Sequence, residues 1–156
     1  MAFLASAWTG LTDVAKASWT TSATAAKIPP YNQFISANLG RWSEMHAPGK
    51  ADPVTEIGTL PNLDTFYATG GAAHVEISAD WYGLNHAWGI MIFRSTSSGF
   101  APALCNCVAI IPLTALSGLL YDDKGLEPAT YHYNFRTFTF AGKMSANLGQ
   151  MSAVVT

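Results

Sequence analysis

The chain has 156 residues, of which 49% are apolar and only 12% charged, and its formal net charge is −2. Soluble domains average about 25% charged residues, so much of this surface is either covered by partners or made polar by Ser, Thr and Asn. The eight Lys and Arg residues are scattered, which excludes the clustered cations of a nucleic-acid footprint, and no apolar run approaches the ~20 residues of a membrane-spanning helix.

The first residues, Met1 to Trp8, are apolar but have no basic residue before Lys16. They read as part of the protein and not as a secretory leader. Leu11-Thr12-Asp13 then opens a helix, with Thr12 or Asp13 as its cap, running to about Ala26. Trp8 and Trp19 stand eleven residues apart, close to three helical turns, so Trp8 can fold back onto the same face. Pro29-Pro30 ends this helix, and Pro30 suits the first position of a second one. There Ile35, Leu39 and Trp42 form an apolar stripe. Residues 1–45 are therefore expected to be a helical hairpin, too small to stand alone, which packs on a larger domain or a neighbouring subunit. Residues 46–57, with Pro48, Gly49 and Pro53, read as a linker.

From residue 58 the period changes to two. Leu63 to Ala68 is a first strand. Val75, Ile77, Ala79 and Trp81 alternate with His74, Glu76, Ser78 and Asp80, the pattern of a half-buried strand. Trp88 to Arg94 is a third strand, followed by the polar turn Ser95 to Gly99. Cys107 to Leu113 and Leu119 to Tyr121 follow. The Tyr-rich run Tyr131-His-Tyr-Asn-Phe-Arg136 and a closing run to Thr156 make about seven strands.

The ordered set resembles a fibronectin type III domain over residues 58–156. The resemblance rests on Leu126-Glu-Pro-Ala-Thr130 before the Tyr-rich strand, on the Ala141-Gly-Lys-Met-Ser145 turn, and on the alternating strand that ends in Trp81. It implies a mainly β fold, an antiparallel sandwich preceded by the helical hairpin. It also implies a corner tyrosine bonded back to the preceding turn. The family position for that residue is occupied by His132, so Tyr131 and Tyr133 are alternative candidates. Phe138 and Phe140 fall out of phase with Phe135; they return to the core through a bulge near Arg136 or form an exposed aromatic patch. Leu11, Thr12, Trp19, Tyr31, Asn32, Phe34 and Asn38 in turn resemble a helical segment of tailed-phage proteins.

Chemistry-bearing motifs are sparse. His46, His74, His86 and His132 sit in separate segments without metal-ligand spacing, although His74 and His132 could approach across strands. Asp122-Asp123 lacks the alternating ligands of a calcium loop. Cys105 and Cys107 would share one side of a strand, and a bridge between them would be strained, so two reduced thiols are expected. The expectation is a non-enzymatic virion structural protein without cofactor or metal. Made in the host cytoplasm, it decorates the capsid or attaches to the tail. Its expected partners are other virion proteins and copies of itself, with Trp8, Trp19, Tyr31, Phe34, Trp42, Tyr82 and Trp88 as contact residues. The alternative is an adhesion module in which Tyr82 and Trp88, beside the loop Gly83 to Ala87, contact a host-surface glycan.

Overall fold

The computed structural model describes residues 2–54, 62–82, 88–113, 117–139 and 142–156, with side chains at 2, 62–64, 81–82, 88, 112–113 and 117–119 not included. Two compact units are present, Met1–Thr59 with Phe138–Met144, and Leu60–Thr137 with Ser145–Thr156. Among the described residues, three helices and seven strands in two sheets make the chain mixed α and β, where mainly β was expected.

The first unit holds α1 (Ala2–Thr9), α2 (Asp13–Ala26) and α3 (Pro30–Ser43). The helical hairpin is α2 with α3, and both begin as expected. Thr12 Oγ1 accepts from Ala15 N at 3.3 Å, and Pro30 takes the first helical position. α2 closes on Lys27 in the left-handed region (φ 56°), where Lys27 N and Ile28 N donate to Thr24 O and Ala23 O. α1 is an addition: Ala2 to Thr9 has no helix breaker before Gly10. It contributes the buried Leu4 to the unit.

Residues 46–54, part of the expected linker, lie in part against the helices. Ala47, Pro48 and Gly49 are buried. Buried Asn38 clamps them, its Oδ1 accepting from Gly49 N at 2.7 Å and its Nδ2 donating to Gly49 O at 3.3 Å. Trp19 Nε1 donates to Lys50 O at 2.9 Å, Arg41 Nε to Ala47 O at 2.6 Å, and Asp52 N to Ser18 Oγ at 3.0 Å. Pro and Gly here make a strap rather than a tether, because polar side chains on α2 and α3 satisfy its backbone. The hairpin tip Phe138–Met144 completes this unit: Phe138 is fully buried, edge-on to Phe3 at 5.8 Å, and Arg41 Nη2 donates to Gly142 O. Phe138 is thus no exposed patch; Phe140 lies outside the described residues.

The second unit contains β1 (Asn62–Gly70), β2 (His74–Tyr82), β3 (Trp88–Ser95), β4 (Cys107–Leu113), β5 (Ser117–Lys124), β6 (Ala129–Thr139, as far as Thr137) and β7 (Gln150–Val155). One sheet runs β1-β2-β5 and the other β4-β3-β6-β7. A single core draws on both: Phe66, Val75 and Ile77 from the first, Ile90, Tyr133 and Phe135 from the second. Phe66 and Phe135 stack at 4.2 Å, nearly parallel. Beyond the end of β7, Thr156 exchanges hydrogen bonds with Gly71 and Ala73 in the β1–β2 turn. At Gly70 a Cβ would run into the Val154 carbonyl oxygen, so only glycine fits this approach. The loop after β3 is stapled to β6 and β7, Asn134 Nδ2 donating to Phe100 O and Gly99 N to Gln150 Oε1.

Candidate functional site

The expected contact residues separate by burial. Trp19, Phe34 and Trp42 are 1%, 2% and 3% exposed, so their contacts are internal to the helical unit. Trp19 meets Phe34 edge-on at 5.4 Å, and Trp42 meets Phe3 at 5.7 Å. Trp8 is half-buried, 5.3 Å from Phe34 and 5.8 Å from Tyr31, with Lys16 Nζ 6.0 Å from its ring. Of the five, Trp8 and Tyr31 reach the surface. Leu39 is exposed on α3 with Tyr31. The other two expected residues, Tyr82 and Trp88, have described backbone at the ends of β2 and β3, but their side chains and residues 83–87 lie outside the described residues, as does the Trp81 side chain.

The densest electrostatic cluster was not read from the sequence. Asp123, on β5, is 3% exposed. Arg94 Nη1 donates to its Oδ1 and Oδ2 at 2.7 and 2.8 Å, and the Tyr133 hydroxyl donates to Oδ2 at 2.8 Å. Arg94 also lies 5.7 Å from the Tyr131 ring. Tyr131 Oη donates to Glu127 O at 3.1 Å, so Tyr131, not Tyr133, bonds back to the turn. Burial first, then the Asp123 carboxylate it bonds to, pushes the Tyr133 phenol well above its ordinary range. Burial and Asp123 also raise Tyr121. The cluster ties both sheets through one buried carboxylate. It keeps Tyr133 neutral at physiological pH, as a donor rather than a base. Asp122 and Asp123 lie within β5, beyond the Leu119–Tyr121 strand expected from the sequence.

An open cleft of about 350 Å³ lies beside the β1–β2 turn, lined by Ala72, Ala73, His74, Asp122 and Lys124. Asp122 Oδ2 pairs with Lys124 Nζ at 2.8 Å, while its buried Oδ1 has no hydrogen-bond partner. The Asp122 hydrogen bond and charge raise Lys124, which stays an ammonium. His74 Nδ1 lies 3.1 Å from Ala72 O. Such a cleft can hold a small polar group; its lysine, kept protonated, is no nucleophile. His74 on β2 and His132 on β6 sit in different sheets and are not cross-strand neighbours.

Cys105 is exposed in a short 3-10 turn (Leu104–Asn106), and Cys107 begins β4. They therefore do not share a strand. Burial pushes the Cys107 thiol up to about 11. Among the described residues no three His, Cys, Asp or Glu side chains come together as metal ligands.

The fold and these clusters define an antiparallel two-sheet protein with a small helical unit. No family model matches the chain. No curated protein matches it either. Among solved structures, the β-1,2-glucanase from Parabacteroides distasonis is similar over 63% of this chain and 14% of that one, at 17% identity and a TM-score of 0.45.

Proposed function

We propose that this is a non-enzymatic structural protein of a tailed-phage particle, decorating the capsid or attached to the tail. In this reading residues 58–156 form a fibronectin type III-like β-sandwich displayed outward, and the helical unit is the anchor. The observation that carries it is the strand order, β1-β2-β5 facing β4-β3-β6-β7 around one core. This order, with the fourth strand beside the third, supports the immunoglobulin-like reading. The Tyr131 bond to the turn before β6 supports the same resemblance. The resemblance of the α2–α3 segment to phage proteins, and the low charge, support the virion setting. Partners are other virion proteins and further copies of the chain.

The test is mass spectrometry of purified particles from the source, with microscopy using antibody against residues 58–156. Regular labelling of capsid or tail is expected. Particles lacking the protein, together with glycan-array binding lost in Trp88→Ala, would replace this reading with the adhesion module.

A further inference from the structure

Among the described residues the two sheets have four edge strands, and three of these edges are protected. β7 and the end of β1 close on one another, through Thr156 on the β1–β2 turn and Gly70 against Val154. β5 ends in Asp122, Asp123 and Lys124, charges of the kind that blunt an edge. β4 differs. It pairs with β3 on one side, and no described strand pairs with its other side. Its sequence, Cys-Val-Ala-Ile-Ile-Pro-Leu, carries no charge. The whole stretch from Ser95 to Tyr121 contains no Asp, Glu, Lys, Arg or His.

We propose that β4 is the self-association surface of this protein, pairing antiparallel with β4 of a second copy about a two-fold axis near Ile110. The inference rests on the self-association part of the proposed function and names its surface. An uncharged edge meets its own copy without like-charge repulsion, which a two-fold interface otherwise brings because each group faces its own kind. Pro112 sets the register. A proline in an edge strand turns its nitrogen away from the neighbouring strand. Ile110, two residues back and regularly paired with Met91, then directs its own N–H and C=O outward as well. Two copies meeting at Ile110 exchange these groups reciprocally, while Pro112 withholds one donor at each end and keeps the contact short. Ala109 and Ile111 pack against the core shared by the two sheets, while Ile110 is half-buried beside Met91, its cross-strand partner.

The experiment is sedimentation equilibrium of the full chain from micromolar to near-millimolar concentration, with amide hydrogen exchange at both extremes. A monomer–dimer equilibrium is expected, with protection of Cys107–Leu113 rising with concentration. Ile110→Lys should weaken the dimer at least about tenfold by placing two ammonium groups at the axis, with an unchanged circular dichroism spectrum. Thr21→Lys, on the exposed face of α2, should leave it unchanged. A monomer at every concentration overturns the proposal, and so does a dimer in which β4 amides gain no protection. Should Ile110→Lys fail to fold, the wild-type exchange data decide alone. Particle labelling is read separately, so the virion assignment can stand while this surface fails, or the reverse.

Discussion

The two units of this molecule are held together by different means. The sheet unit relies on backbone ladders, one shared core and a buried Arg94–Asp123–Tyr133 cluster. The helical unit has no ladder across its helices, so side chains must do the cross-linking: Trp19, Asn38 and Arg41 each bond to backbone of the 46–54 strap. In the sheets, side chains can be varied while the backbone pairing persists. In the helical unit, one side chain often carries a whole contact between segments. Chain length explains the difference, since a unit this small buries little area per residue and needs specific polar links to fix its packing.

That contrast can be broken most severely in the core. Phe135→Ala removes the ring stacked on Phe66 and should cost about 3–5 kcal/mol, read as a fall in urea midpoint. A loss below ~1 kcal/mol would show that the shared core is not the main support of the sheets. Asp123→Ala strands a partly exposed guanidinium and a buried phenol, and should cost about 3 kcal/mol. Asp123→Asn should recover part of that if the hydrogen bonds matter as well as the charge. Asn38→Ala removes the side chain bonded to buried Gly49 N and O, for about 1–3 kcal/mol. Its signature should be local: faster exchange and proteolysis at residues 46–54, with sheet amides unchanged. Equal loosening of both units would end the distinction drawn above.

Two smaller effects sharpen the picture. Tyr133 has a raised folded-state pKa, so its contribution is complete below the unfolded tyrosine value and declines as pH rises above about 10. Stability followed from pH 8 upward should fall, and Tyr133→Phe should flatten that fall while costing about 1 kcal/mol at neutral pH. A wild-type curve that stays level past pH 11 would count against the network. Lys27→Gly should stabilise by about 1 kcal/mol, because Lys27 holds a positive φ that glycine adopts freely. A neutral or negative change in melting temperature would mean the lysine side chain makes up the difference elsewhere.

Legibility followed the range of the interactions. Thr12, Pro30 and the alternation of residues 74–81 announce their elements, since capping and period depend only on neighbours in the chain. The start of β4 at Cys107 and the seven-strand count were readable for the same reason. Asp123 was not, because a carboxylate is buried only when a distant Arg94 and Tyr133 come to meet it. Nor was the strap: Pro48 and Gly49 carry loop composition whether they hang in solvent or lie under Asn38. Among the expected contact residues, aromatic content alone could not separate buried Trp19, Phe34 and Trp42 from exposed Tyr31.

By itself the sequence determined where α2 and α3 begin and the approximate positions of the strands, because caps, prolines and hydrophobic period act over a few residues. Only the tertiary structure decided that Tyr131 is the residue bonded to the turn, that Phe138 belongs with the helices, that Ala47 to Gly49 are buried, and that no described strand pairs with the second edge of β4. Each of these depends on which distant segment arrives beside a residue, and that is settled by pairing and burial across the whole chain.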